Sequence, residues 1–448
     1  MEKRSFFAVA PKGLEEVTAQ ELKRLGALDI KITMGGVEFA GTKETLYRAN
    51  LWSRSASRVL MPLREFASVS PEMLYDQVRR MKWELYLTPQ KTFAVDCTLV
   101  NSDMNHSHYA ALKVKDAIAD RLRERYEGER SSIDTKDPDI KVNIFINNNR
   151  CILSLDSSGE ALHRRGYRQA TGAAPIKENL AAALLLMAGY DGSQPLFDPM
   201  CGSGTFLTEG ALIALHFAPG LLRERFGFFG WPDFDHELWQ SLKEEAHAQI
   251  LRKLPRPIEG SDRDAQAVEK ALENARAAGV SKFVNVRRSV LDLARPPQSS
   301  PQKSGGVTGG GIMVVNPPYG ERMGAGPIPR GSAESFTARS NRGPAGGALP
   351  APSSGPHRPQ SRPLARPQRS APVEQPLDEN LKALYHSIGD FMKKQLKGWT
   401  AFILAGNPQY GKFVGLHPSK KIVVFNGPIE GRFLKYEIYE GTRKRQDP

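Results

Sequence analysis

An α/β fold preceded by an α+β region is predicted by three features of the chain. Short apolar runs alternate with helical patterns; a two-glycine turn follows one such run, Leu196-Phe197; and a proline-proline breaker follows another, Ile312-Met313-Val314-Val315. At 448 residues the chain exceeds one domain of common size, and two to three domains are expected.

The elements follow in order. Phe6-Phe7-Ala8-Val9 is strand-like, 14–25 has helical periodicity, Gly36-Val37-Glu38-Phe39 alternates toward a second strand, and a helix follows over 43–51. That alternation predicts a small ferredoxin-like module over 1–65. Helical pattern returns over 71–81, then a strand over 92–97, a helix over 110–126 and strands over 142–146 and 151–155, so 66–158 reads as a second α+β unit.

In the second half, Asp198-Pro199-Met200-Cys201-Gly202-Ser203-Gly204-Thr205 ends a strand and opens a helical pattern over 207–216. Gly202 and Gly204 let the backbone approach a bound adenosyl group closely, and Asp198 can accept a hydrogen bond from an ammonium. A dinucleotide fingerprint would need a third glycine where Leu207 stands, and no G-K-[ST] follows to make a Walker loop. The next acid is Asp262 in Glu259-Gly260-Ser261-Asp262-Arg263-Asp264, after the strand-like Pro257-Ile258. Its carboxylate could take both ribose hydroxyls of a nucleoside. Asp264 could do so instead, but it is also the better N-cap for a helix over 265–278, where Val268, Ala271, Leu272 and Ala275 recur at helical spacing. Asp292, after Phe283-Val284-Asn285-Val286, falls where a third strand would end and could bind an adenine amine; a solvated surface acid is the alternative reading.

Asn316-Pro317-Pro318-Tyr319 follows the apolar run 312–315 directly. An exocyclic amine on a nucleobase is a poor nucleophile, because its lone pair is delocalised into the ring. The Asn316 side-chain oxygen and the Pro317 main-chain carbonyl could each accept one N–H bond and favour the tetrahedral nitrogen that attack requires. Proline has no N–H and a locked φ, so Pro317-Pro318 aims that carbonyl with little freedom. Tyr319 could then stack on the base. A strand ending in a Pro-Pro turn is the plain structural alternative.

Asp198 to Thr205, Gly260-Ser261-Asp262, and Asn316-Pro317-Pro318-Tyr319-Gly320-Glu321-Arg322 resemble the motifs of class I S-adenosylmethionine-dependent RNA methyltransferases that carry a THUMP domain. The resemblance is best to the bacterial large-subunit ribosomal RNA guanine-N2 type, RlmL. It extends through Pro11-Lys12-Gly13-Leu14-Glu15, Leu51-Trp52-Ser53-Arg54-Ser55-Ala56-Ser57-Arg58, Leu162-His163-Arg164-Arg165-Gly166-Tyr167-Arg168 and Ala174-Pro175-Ile176-Lys177-Glu178-Asn179. It implies a Rossmann-like methyltransferase domain over 181–448, a THUMP RNA-binding domain over 66–158, and S-adenosylmethionine as cofactor. A single methyltransferase domain is expected in this sequence, where some relatives carry a second one downstream. NPPY alone is shared with adenine-N6 and protein glutamine methyltransferases, so the subfamily rests on the N-terminal matches.

Composition agrees with a polyanionic partner. The 62 basic residues against 49 acidic give a net charge of +13, with a pI near 9.5. Lys113 and Lys115 are candidates to face RNA, with Arg121, Arg123 and Arg125 extending the charge, although solvation alone also explains a charged helix face. Cys97, Cys151 and Cys201 are too few and scattered for a disulfide framework or a metal site, which points to a reducing, cytoplasmic compartment. The longest apolar run, 180–190, is far short of a membrane span, and 6–10 is too short for a signal-peptide core. Neither membrane nor metal is expected.

Residues 159–180 join the two halves. His163 to Arg168 gathers basic and aromatic groups there, so the cluster, with Arg164, Arg165 and Arg168, could grip phosphates and stack a base; a basic linker that makes no contacts is the alternative reading. Residues 217–257 interrupt the spacing between the first and second strands; their aromatics, Phe226, Phe228, Phe229 and Trp231, read as a packing plug rather than a base platform. The 323–376 segment is rich in proline, glycine and arginine with almost no large apolar residues, and reads as a disordered insertion. Beyond it, a helix over 377–396 is expected to bury Leu381, Leu384, Ile388, Phe391 and Met392. Strands over 401–404 and 422–425 follow, and a last strand over 433–439 is expected to close the sheet.

The expected activity is therefore methyl transfer from S-adenosylmethionine to guanine N2 in large-subunit (23S) ribosomal RNA. Transfer RNA or an adenine amine are alternative acceptors. A ribosome-assembly RNA binder without catalysis is the alternative of another class.

Overall fold

The computed structural model of the protein describes residues 2–168, 176–297, 310–318, 377–427 and 429–439. Tyr319, residues 298–309 and the 323–376 segment lie outside them.

The N-terminal part contains β1 (Arg4–Val9), α1 (Glu15–Arg24), β2 (Leu28–Thr33), β3 (Gly36–Gly41), α2 (Lys43–Trp52), β4 (Arg58–Ala67), α3 (Pro71–Arg79), β5 (Thr92–Val100), α4 (Ser107–Arg125), β6 (Ser132–Ile133), β7 (Ile140–Asn147) and β8 (Arg150–Asp156). Helix starts are chemically marked. The Thr42 side chain caps α2 in a reciprocal box with Thr45, and Ser70 accepts the Met73 N–H ahead of Pro71 in the first turn of α3.

All eight strands form one sheet in the order β2-β3-β1-β4-β8-β7-β5-β6. Periodicity predicts neither β2 nor β4. Strand β4 buries Val59, Leu60 and Met61 in succession rather than on alternate positions, so it lacks the period of a half-buried strand. It is nevertheless the joint of the region: Arg58 to Leu60 pair with β1, and Leu60 to Ala67 pair with β8. The register shifts between Pro62 and Arg64, which accommodates a proline that cannot donate to the ladder.

The second half contains α5 (Glu178–Met187), β9 (Leu196–Asp198), α6 (Thr205–Ala214), α7 (His236–Ala248), β10 (Ile258–Asp262), α8 (Ala265–Ala277), β11 (Val284–Arg288), β12 (Ile312–Val315), α9 (Glu379–Gln395), β13 (Thr400–Ala405), β14 (Lys420–Asn426) and β15 (Ile429–Glu437). Its sheet runs β11-β10-β9-β12-β13-β15-β14. The first five strands in that order are parallel, and β15 is antiparallel to both β13 and β14. The final strand therefore lies inside the sheet and β14 forms the edge, because β14 and β15 are a hairpin whose return arm pairs with β13. Strand β12 is buried at all four positions, as a central parallel strand should be. Helices α5, α6 and α8 cover one face, and α9 covers the other through Leu381, Tyr385, Ile388, Phe391 and Met392.

The aromatics of 217–257 are a packing plug, as expected, and their partner is the N-terminal core. Phe228 stacks on Tyr47 with ring centroids 4.4 Å apart, and Trp239 meets Phe226 and Phe228 edge-on. Arg48 adds two bonds to the Glu245 carboxylate, at 3.0 and 2.7 Å.

Candidate active site

The strand order reverses beside β9: the chain steps outward to β10 and β11, then returns to β12 on the other side. A crevice at such a switch point, beyond the carboxyl ends of the strands, is where parallel α/β sheets bind ligands. Three of the sequence-predicted residues stand at neighbouring strand ends there. Asp198 ends β9, Asp262 ends β10, and Asn316 directly follows β12, with parallel register fixed by Leu196 opposite both Ile258 and Ile312.

The turn after β9 is tied to the end of β10. Gly202 donates its N–H to Asp262 Oδ2 at 2.9 Å, and Cys201 donates to the Ser261 carbonyl at 3.0 Å. Both glycines have positive φ, 53° at Gly202 and 75° at Gly204, but for different reasons. A Cβ at Gly202 would meet open space, which leaves room for a ligand against the backbone. One at Gly204 would lie 2.8 Å from the Ala271 Cβ, so that glycine lets α8 pack against the start of α6. Asp262 Oδ1 accepts the Asp264 N–H at 3.0 Å, and Asp264 accepts the Gln266 N–H at 2.9 Å, which makes it the α8 cap.

Asp198 is 2% exposed and accepts the Met200 N–H at 3.1 Å. Burial pushes its carboxyl well above the usual range, against that hydrogen bond, and the nearby Asp262 adds to the rise. Burial likewise raises the Cys201 thiol, which suits a small turn filler and not a nucleophile. An open backbone at Gly202, with an acid on either side, fits the adenosyl and amino-acid parts of S-adenosylmethionine. Asn316 and Pro318 are half-buried and Pro317 is buried. Asp292 sits exposed in a short 3-10 turn, Leu291–Leu293, just past β11.

The basic linker does not face outward as expected. Arg165 is 2% exposed: its guanidinium donates to the Leu162 and Arg54 carbonyls, and its Nε lies 3.5 Å from Glu209 on α6. Tyr167 is also buried, donating its hydroxyl to Glu209 at 2.9 Å, so it offers no stacking platform. Arg168 turns inward to Glu178, Ile176 and Thr205. Arg164 remains at the surface, paired with Glu160. A positive charge placed beside an acid on an otherwise apolar helix is drawn into the core, because Glu209 cannot be buried alone. Glu209 inside the apolar stretch of α6 was the available signal.

On α4, Lys113 and Lys115 are half-exposed; Lys113 lies 5.6 Å from the Tyr109 ring centroid, and Lys115 pairs with Asp116. Arg121 is engaged by Glu84 and Arg123 by Asp120, while Arg125 is exposed. Among the described residues, no group of His, Cys, Asp and Glu is arranged to hold a metal, and no helix is long and apolar enough to cross a membrane.

Comparison with known proteins agrees with this fold. The RMKL-like methyltransferase domain matches residues 165–329, the RlmL ferredoxin-like domain residues 5–60, and the THUMP domain residues 69–156. A candidate RNA methyltransferase of Synechocystis is 38% identical over 436 residues, covering 97% of each chain. The ribosomal RNA large subunit methyltransferase K/L of Syntrophotalea carbinolica is 41% identical over 443 residues, covering 97% of this chain and 54% of its own. The chain thus spans about half the length of the relatives of that name. A solved candidate methyltransferase complexed with SAH has a TM-score of 0.76 at 27% identity, covering 99% of this chain and 100% of its own. With three domain types matched in order and near-complete coverage by the Synechocystis relative, the chain belongs to the RMKL-like methyltransferases that carry an RlmL ferredoxin-like and a THUMP domain.

Proposed function

We propose that the protein methylates the exocyclic N2 of a guanine in large-subunit (23S) ribosomal RNA, using S-adenosylmethionine, in the cytoplasm. The observation that carries the reading is the placement of Asn316-Pro317-Pro318 at the end of β12, across the switch point from the Gly202 turn and Asp262. The ribosomal RNA choice is supported by the name of the relatives about 40% identical to this chain.

When bound, the cofactor supplies an electrophilic methyl group on a sulfonium, which departs as a neutral thioether. Asp262 would hold the ribose hydroxyls, Asp198 the ammonium and Asp292 the adenine amine. Asn316 and the Pro317 carbonyl would take the two N–H bonds of the acceptor amine, and Tyr319 would be the residue to stack on the base. Held by those two acceptors, the nitrogen would turn its lone pair toward the methyl group, and once methylated it would lose one proton to water. Positioning supplies most of the acceleration. The base must leave its stack to reach the crevice. RNA binding is assigned to the unit over 66–158 through Lys113 and Lys115, with Arg164 at the joint.

The test combines nucleoside mapping of ribosomal and transfer RNA, with and without the protein, and assays of Asn316→Ala. The variant should bind S-adenosylmethionine normally and lose turnover by roughly 10²–10³-fold, the range for removing one positioned hydrogen-bond partner of a transition state. Near-normal turnover removes amine activation from Asn316, and a modified adenine or transfer RNA nucleoside redirects the substrate.

A further inference from the structure

Helix α6 opens on the glycine turn, and three arginines from outside the parallel sheet grip it along its length. Arg168 Nη2 donates to Thr205 Oγ1, in the first turn, at 3.1 Å. Arg165 and Tyr167 meet Glu209 in the middle. Arg54, from the N-terminal part, donates to the Leu212 and Phe217 carbonyls at the far end, at 3.2 and 3.0 Å. Thr205 immediately follows Gly204, so the Arg168 contact acts on the turn itself. The same guanidinium is anchored by Glu178 at 2.7 Å and the Ile176 carbonyl at 2.8 Å, both at the entry to α5. A planar fork held on two sides transmits position to its third partner, as a flexible ammonium would not.

We infer that Arg168 is a positioning residue for the cofactor turn rather than a contact to RNA phosphate, an inference that rests on reading that turn as the S-adenosylmethionine site. Arg168 fixes the first residue of α6 relative to α5. Through it, the linker from the N-terminal half sets where Gly202 presents its open backbone. Its loss loosens cofactor binding and leaves the RNA-facing surface unaltered.

The experiment measures S-adenosylmethionine binding by calorimetry, RNA binding across a salt series, and KM against kcat, on the full chain. Arg168→Gln should weaken cofactor binding and raise its KM on the order of tenfold, the scale of a lost charge-assisted hydrogen bond, with kcat at saturating cofactor retained. Thr205→Val, which removes only the hydroxyl, should shift the cofactor KM in the same direction. The double variant should fall short of the sum, since both changes remove one contact. RNA affinity and its salt slope should match the wild type in all three. A flatter salt slope with unchanged cofactor affinity makes Arg168 a phosphate contact and overturns the inference, as does a lowered melting temperature with cofactor affinity untouched in both single variants. Failure of the wild-type protein itself to bind S-adenosylmethionine overturns the cofactor reading beneath it.

Discussion

Gly202 and Asp262, sixty residues apart, are joined by a 2.9 Å bond from the glycine N–H to the carboxylate. The other carboxylate oxygen holds the Asp264 N–H, so one acid shapes the turn after β9 and the start of α8 together. Gly202 therefore lies in a backbone frame set before any ligand arrives.

Asp262→Ala removes both the proposed ribose acceptor and that frame. Cofactor affinity should fall by about 1.5–3 kcal/mol, the range for hydrogen bonds to charged groups, measured by calorimetry. Asp264→Ala, which strips only the α8 cap, should cost about 1 kcal/mol of stability and leave affinity close to wild type. If the two variants exchange these effects, the ribose role belongs to Asp264.

The proposed ammonium role of Asp198 should make cofactor binding pH-dependent. Burial raises its carboxyl, so in the free protein this group contributes stability at low pH that is lost as pH rises through the raised value. A bound ammonium favours the carboxylate instead. Affinity should therefore climb with pH across a window above the ordinary aspartate value of roughly 3.9, and binding should release a proton. Titration in buffers of different ionisation enthalpy reads that proton directly. A pH-independent affinity that Asp198→Asn leaves unchanged would remove the ammonium role.

The placement of Asp198, Asp262 and Asn316 was legible because they stand at strand ends, and strand ends carry their own punctuation. Asp198 before a glycine turn, Asp262 before a cap, and Asn316 before two prolines are local signals, each within a few residues of an apolar run. Strand β4 was not legible, since its burial is set by neighbours on both sides in the sheet rather than by alternation. Nor was the direction of Arg165 and Arg168. Composition marks a basic cluster, but which arginine turns inward depends on Glu209 and Glu178, acids that only tertiary packing brings near.

Arg165 and Arg164 should separate cleanly in the test tube. Burial raises the Glu209 carboxyl, and Arg165 is the strongest influence opposing that rise. Arg165→Met should cost about 3–5 kcal/mol by leaving an unpaired buried acid. The loss should grow as pH rises above the ordinary glutamate value of roughly 4.3, because a raised acid stabilises the fold only while protonated. Adding Glu209→Gln should recover most of it. Arg164→Ala, at a side chain 68% exposed, should leave the melt unchanged and reduce the salt slope of RNA binding by about one contact. A wild-type melt for Arg165→Met at neutral pH rules out the buried-pair account.

The aromatic plug should make the two halves one folding unit. Phe226 and Phe228 are buried in the N-terminal core with Tyr47, although both belong to the segment between β9 and β10. Deleting 1–158 exposes them, together with the face of α6 that Arg54 covers. The truncated protein should therefore aggregate or melt far below the full chain. Phe228→Ala in the full chain should cost about 3–5 kcal/mol, as for other large aromatics removed from a core. In denaturant, near-ultraviolet signals from the aromatic plug should vanish together with S-adenosylmethionine binding, in one transition. Two resolved transitions, or a truncated protein that binds cofactor with wild-type affinity, would show that the methyltransferase sheet folds without its N-terminal partner.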